Sequence, residues 1–418
     1  MADTRLSTLQ NKIALYKTEL FVILFAAIPT SLFIVFAWIK SDFLVLDHSY
    51  WIGIVAYNLV LFYGIWLAKS KKTIKLSEGI LYVGIAITLI LYTAFRGIIF
   101  SGDITQGVIT GARMLWEGKN PYVVAEVPHA QPYPLPLRYD ATYAYLPVDL
   151  LSYALFLGGL NFFSSFIAGT DIPVFLPGFN EMGILVTNLA LMCVSIYLLK
   201  EILEIRWKQA TVLGTFLFLI LIWNNVCLAQ TFFIAGWYFH KRDQTNLVIF
   251  FWSLSMLSKY FAGIFIVAYI VEYLRKQEYV EVLIKSAIAG VLSIIVSLPF
   301  GILDVLNSTV FFYNTEERLL DGSFGGSIFS ELILFLKLQD IIWLFTLIGF
   351  CIILIIAISL KDLYQRLVIT SCLALFVITG ISAQFLSFIM LILIIAGQIR
   401  LFEGQKQYSS SEITNPAV

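Results

Sequence analysis

The sequence predicts an all-α polytopic membrane protein, and three observations carry that reading. Of 418 residues, 60% are hydrophobic and 13% charged, where soluble domains run to about half apolar and about a quarter charged. Mean hydropathy is +0.88. The apolar residues fall in helix-length runs whose ends are marked by basic residues.

Hydropathy marks spans at 20–39, 50–68 and 79–100. Lys69, Lys71, Lys72 and Lys75 follow the second span, and Arg5, Lys12 and Lys17 precede the first. The positive-inside rule then puts the N-terminal segment 1–19 and the 69–75 loop in the cytoplasm, and segment 101–147 outside. No small-residue cleavage pattern follows residues 1–19, so the first helix is expected to be retained. Segment 146–168 ends without a basic residue, whereas 181–200 ends at Lys200, Arg206 and Lys208. Charge allows only one of them to cross, so 146–168 is expected to dip in and return, or to lie flat, on the outer side.

Four short runs follow, at 211–224, 226–240, 246–258 and 259–271, with Lys241 and Arg242 between the second and third and Arg275 and Lys276 after the fourth. Helices of about 14 residues rise about 21 Å, short of a hydrocarbon core of about 30 Å, and would line a thinned or water-filled cavity. Spans resume at 286–303, 340–360, 367–381 and 384–399. Residues 304–338 form a second outer loop, and Lys361 and Arg366 mark an inner one. The tail 401–418 is polar and is expected to be a mobile cytoplasmic end. The whole is a transmembrane domain over 20–400 with about twelve crossings and one re-entrant segment.

Formal net charge is zero, with 27 basic and 27 acidic residues, and no nucleic-acid motif occurs. Cys193, Cys227, Cys351 and Cys372 lie in apolar runs without ligand spacing, and His48, His129 and His240 are scattered. No metal site and no cofactor are expected.

Chemistry concentrates in Gly102 to Pro147. Residues 103–117 have helical period, with Ile104, Val108, Ala112, Leu115 and Trp116 on one side and Gln106, Thr110, Arg113 and Glu117 on the other. A surface-lying amphipathic helix fits, stopped at Gly118. Asp103 stands at its start, where it serves as an N-cap, as a general base, or as both. Pro128, Pro132, Pro134 and Pro136 make the next stretch extended. Tyr143 and Tyr145 suit either an interfacial belt or flat faces against a sugar ring. Lys259, deep in apolar sequence, costs about 2.5–3.5 kcal/mol unless it reaches water or a partner. It either snorkels to headgroups or meets an anionic lipid-linked phosphate. Arg96, near the outer end of the third span, poses the same choice. Asp140, Asp149 and Glu117 are alternatives to Asp103 as base, and Arg113, Arg138 and Arg318 are further cations; Glu316, Glu317 and Asp321 read as solvated charge.

In order, Asp103, Gly111-Ala112, Gly118, Pro121-Tyr122 and Tyr145-x-Pro147 resemble the polyprenyl-phosphate-sugar-dependent glycosyltransferases of the GT-C fold. The nearest patterns are glycosyltransferase family 87 and the first GPI-anchor mannosyltransferase. Ala229-Gln230, Ser258-Lys259-Tyr260 and Ser382-Ala383-Gln384-Phe385 agree with later motifs. The chain departs from the pattern at Leu146-Pro147-Val148 and in the long insert Val127 to Arg138, and no Asp-x-Asp pair stands in the loop.

The resemblance implies a GT-C-like bundle in the plasma membrane or the endoplasmic reticulum membrane, active on the non-cytoplasmic side. It implies an inverting transfer of a sugar, mannose by resemblance, from a polyprenyl (dolichyl) phosphate to a glycolipid, glycan or protein acceptor. Asp103 would be the base, Lys259 and Arg96 would bind donor phosphate, and Arg113, Tyr122, Tyr143, Tyr145 and Gln230 would bind substrate. A transporter or flippase for a lipid-linked sugar is the rival reading, needing a cavity, aromatics and buried charge but no base.

Overall fold

The computed structural model describes residues 47–70, 72–94, 103–130, 138–143, 145–168, 179–219, 225–311, 342–377, 385–402 and 405. It is mostly helical. Helices α1 (Asp47–Ser70) and α2 (Gly79–Ala94) are followed by α3 (Asp103–Trp116), α4 (Pro147–Ala168) and α5 (Phe179–Leu203). Four short helices come next: α6 (Trp207–Leu219), α7 (Val226–His240), α8 (Thr245–Met256) and α9 (Gly263–Arg275). Then come α10 (Tyr279–Ser297), α11 (Ile302–Leu306), α12 (Ile342–Ser359), α13 (Leu363–Val377) and α14 (Leu386–Ile395). The runs expected at 50–68 and 181–200 fall in α1 and α5, those at 226–240 and 246–258 in α7 and α8, while α6 begins at Trp207 rather than 211 and α9 at Gly263 rather than 259. The span expected at 20–39 lies outside the described residues.

Among the described residues, two stretches are long and apolar enough to cross a membrane, Met182–Leu203 and Tyr279–Phe300. The second packs only lightly against its neighbours and exposes Val280, Leu283, Val291, Ile295 and Leu298. Helices α6 to α9 have 13, 15, 12 and 13 residues. At 1.5 Å per residue they rise only about 18–22 Å.

Large aromatic side chains hold the short helices together. Phe233 lies 4.3 Å from Phe265 and 5.1 Å from Phe388 between ring centroids. Trp237 stacks on Tyr364 at 5.5 Å and 5°. Gly236 lets α8 approach α7, because a Cβ there would sit 2.1 Å from Nε1 of Trp252. That indole N–H donates to the Phe233 carbonyl at 3.1 Å.

Hydrogen bonds gather the connections into two separate ends. At one end Lys241 Nζ donates to the Glu201 carbonyl at 2.6 Å and pairs with Glu204 at 2.7 Å, which caps the C-terminus of α5. Arg366, fully buried, donates to the carbonyls of Ala357, Ala268 and Leu360 and pairs with Glu272 at 3.0 Å. Arg275 also reaches the Leu360 carbonyl, at 2.6 Å, and Gln365 and Gln398 donate to the Ala68 carbonyl. Apart from the Ala268 carbonyl in mid-α9, these groups come from helix ends or connections that the sequence marks with basic residues. Connections 117–126, 143–147, 257–262 and 300–301 meet at the other end.

Of the two alternatives expected for 146–168, the dip and return is corrected. Residues 147–168 neither dip nor return within themselves. They form one uninterrupted helix of 22 residues, laid antiparallel to α5, as the Tyr153–Asn188 and Asn161–Asn180 bonds of 2.7 and 2.8 Å require. Its start lies level with the start of α7 and its far end beside the start of α5, so it does not reach the basic end. The described residues of the tail are docked. Ile399–Arg400 pairs in parallel with Ile74–Lys75, Leu401 and Phe402 are buried, and Gln405 donates to the carbonyls of Ile394 and Ile399. Two apolar side chains and one amide capping the end of α14 are enough to dock it.

Candidate functional site

The expected amphipathic helix is α3, and it ends where the glycine predicts. Gly118 has φ +73°. Its N–H donates to the Leu115 carbonyl at 3.1 Å, and that of Lys119 to the Met114 carbonyl at 2.9 Å, a Schellman stop. Val108, Ala112 and Met114 are buried, whereas Arg113 and Glu117 are exposed. The Asn120 side chain then turns the chain by accepting the Tyr122 N–H at 3.0 Å and donating to the Phe300 carbonyl at 2.8 Å. On either side of the undescribed residues 131–137, Val127–Ala130 pairs antiparallel with Arg138–Ala141.

This turn delivers three tyrosines to the start of α4. Tyr122 and Tyr143 meet edge-on at 5.7 Å, and Tyr143 and Tyr145 at 5.4 Å. The Tyr122 hydroxyl donates to the Tyr145 carbonyl at 2.7 Å, and the Tyr143 hydroxyl to Oδ2 of Asp149 at 2.7 Å. Burial, and the Asp149 charge beside them, push both hydroxyls well above the usual tyrosine range, so they remain donors. Gly111 makes room, since a Cβ there would lie 2.6 Å from the Tyr143 ring.

Asp149, in the first turn of α4, is the centre of the arrangement. It is fully buried. Its Oδ2 also accepts Nδ2 of Asn225, at the start of α7, at 2.9 Å. Oδ1 of Asp149 and Oδ1 of Asn225 have no hydrogen-bond partner among the described residues. The Val148 N–H donates to the Leu257 carbonyl at 3.1 Å and ties α4 to the end of α8. There the chain breaks between α8 and α9, and Lys259 adopts an extended backbone (φ −142°) before the 3-10 turn Tyr260–Ala262. Lys259 Nζ stands 3.9 Å from the Tyr145 ring centroid, a cation–π distance.

The expected site residues separate into groups. Tyr122, Tyr143, Tyr145 and Lys259 come together. Tyr122 and Tyr143 are buried, with their hydroxyls donated to the Tyr145 carbonyl and to Asp149. Gln230 is buried one turn and a half down α7; its Oε1 accepts Ser387 at 3.4 Å and its Nε2 has no described partner. Arg113 lies apart on the surface, 3.7 Å from Glu117, in a chain of pairs continuing through Lys119 to Glu126. Asp103 is the first residue of α3, and its side chain lies outside the described part of the structure; Arg96 and Arg318 lie outside the described residues altogether. The sequence reading missed Asn225. Its signal was an Asn224-Asn225 pair interrupting the apolar run between two short helices. Among the described residues no group of three His, Cys, Asp or Glu side chains is placed to hold a metal ion.

Comparison with protein-family models, with curated proteins and with solved structures finds no match to this chain.

Proposed function

We propose that the chain is a multi-pass membrane glycosyltransferase that moves a sugar, mannose by resemblance, from a polyprenyl (dolichyl) phosphate to an acceptor hydroxyl on the outer or luminal face. The observation that carries the reading is the meeting of Lys259 with Tyr145. The sequence motifs that contain them lie more than a hundred residues apart, and the fold brings them to 3.9 Å beside a buried carboxylate. The separation of basic connections from the tyrosine-bearing ones supports a membrane between the two ends and a site on the far side from the cytoplasm. Short helices beneath the site suit a pocket open to the outer leaflet.

In this reading Asp103, at the start of α3, takes the proton of the acceptor hydroxyl. The acceptor oxygen attacks the anomeric carbon while the bond from that carbon to the phosphate oxygen breaks, inverting the centre. Lys259, with Arg96, offsets the charge growing on the leaving lipid phosphate. One displacement needs no second carboxylate as nucleophile. Asp149, Tyr143 and Asn225 hold the frame.

The test is transfer from radiolabelled polyprenyl-phosphate mannose by the purified chain in proteoliposomes. Wild type is expected to label a lipid, glycan or protein acceptor, and Lys259→Gln to weaken donor binding. Movement of the lipid-linked sugar across the bilayer with no new glycoside would instead identify a transporter.

A further inference from the structure

Two buried oxygens are left over beside the tyrosine cluster. Oδ2 of Asp149 takes both donors that reach this side chain, the Tyr143 hydroxyl at 2.7 Å and Nδ2 of Asn225 at 2.9 Å. Oδ1 of Asp149 and Oδ1 of Asn225 are buried with no hydrogen-bond partner among the described residues. A carboxylate only accepts, so the amide nitrogen of Asn225 must face it, and the amide oxygen is the atom left over. Each leftover oxygen shares a carbon with an atom of the 2.9 Å bond, which makes the two near neighbours. Burying an acceptor without a donor is costly, and a neighbouring pair of them calls for a ligand that brings two hydrogens.

Resting on the reading above, that ligand is the donor sugar. Direct contacts join the pair to the proposed phosphate site: the Tyr143 hydroxyl donates to Asp149, the Tyr143 ring meets Tyr145 at 5.4 Å, and Lys259 Nζ stands 3.9 Å from the Tyr145 ring. The chemistry divides accordingly. A lysine ammonium has donors alone and suits a phosphate, whereas the two oxygens have only lone pairs and suit hydroxyls. Tyr145 and Lys259 are half-buried, and Asp149 and Asn225 are closed off, so a donor arriving from the exposed side meets the cation first.

We propose that Asp149 and Asn225 are specificity-determining residues of the donor-sugar subsite: once phosphate has drawn Lys259 off the Tyr145 ring, Oδ1 of each accepts one of two neighbouring sugar hydroxyls. Those hydroxyls bind as donors, and a group that can only accept is rejected.

The test compares kcat/KM for polyprenyl-phosphate mannose with that for analogues in which fluorine replaces one sugar hydroxyl at a time, using the full-length chain in proteoliposomes. Fluorine donates nothing, so facing Oδ1 it loses the bond and meets a lone pair. Wild type should discriminate against the analogue fluorinated opposite Asp149 by about tenfold or more, the scale of a hydrogen bond to a charged group. Asp149→Asn keeps an oxygen for Tyr143 and Asn225 and puts an amide N–H donor where Oδ1 stood. Discrimination at that one position should then fall by about tenfold, and the positions away from the pair should keep theirs. Effects of fluorine on intrinsic reactivity cancel between variant and wild type, and a merely structural defect lowers kcat/KM for every analogue alike. Asn225→Ser withdraws the other oxygen and should relax the neighbouring position, which carries the test if Asp149→Asn does not fold. Discrimination within about twofold of wild type at every position in a folded variant would overturn the proposal and leave the pair to ordered water. Wild type that transfers no sugar would remove the glycosyltransferase reading and this inference with it, whereas active wild type with unchanged variant discrimination removes the inference alone.

Discussion

The Tyr143 hydroxyl donates to the buried Asp149 carboxylate at 2.7 Å, and the Asn225 amide donates to the same oxygen at 2.9 Å, so that one carboxylate ties the segment ahead of α4 to the starts of α4 and α7. Tyr143→Phe keeps the ring and removes the donor, leaving Asn225 as the remaining hydrogen-bond donor to Asp149 among the described residues. The expected loss is about 1–3 kcal/mol, read as a lowered midpoint in thermal unfolding of the detergent-solubilised chain.

Gly111→Ala tests the same junction from the side of α3. Its Cβ would lie 2.6 Å from a ring that is packed on one side and hydrogen-bonded at its tip. The ring cannot give way cheaply, so the substitution should cost about 1–3 kcal/mol. Gly159→Ala, where a Cβ would meet nothing within 4 Å, is the matched control and should leave the unfolding midpoint at or above wild type.

Arg366→Met removes a buried guanidinium that caps α12 through Leu360 and Ala357 and pairs with Glu272. Glu272 and several carbonyls lose their donor, and the cost should be roughly 3 kcal/mol or more. Arg366→Lys should recover only part of it, because a lysine cannot serve three carbonyls and a carboxylate in a planar fork. Denaturant or thermal melts of the three proteins rank them.

Much of the fold was legible because apolar run length and basic punctuation are local signals. The Lys241-Arg242 and Arg275-Lys276 turns fall where the charge pattern puts them, and Gly118 stops α3 by backbone conformation alone. Asp149 was harder to rank. As a candidate base it looked equal to Asp140 or Glu117, because what sets it apart is the arrival of Asn225 and Lys259 from distant segments. The buried state of Tyr122 and Tyr143 was hidden for the same reason: an aromatic beside proline reads as an interface until its neighbours are known. The docking of Leu401, Phe402 and Gln405 rests on a two-residue parallel strand pair with Ile74–Lys75, too short to leave a periodic signal.

The separation of connections into two ends predicts which positions a sealed membrane divides. Single cysteines at the exposed positions Arg242 and Glu117, introduced in place of the four native ones, should react with a membrane-impermeant thiol reagent from opposite sides of oriented vesicles. Labelling of both from the same side would remove the proposed placement of the site.

The most direct measurement is transfer of radiolabel from polyprenyl-phosphate mannose to a host lipid extract by purified wild type and by Asp103→Asn, side by side in proteoliposomes. The account predicts a new labelled glycoside with wild type and a loss of about a hundredfold or more with the variant, the scale of a missing general base. Transfer by Asp103→Asn near the wild-type rate, or no transfer by either protein, would contradict it.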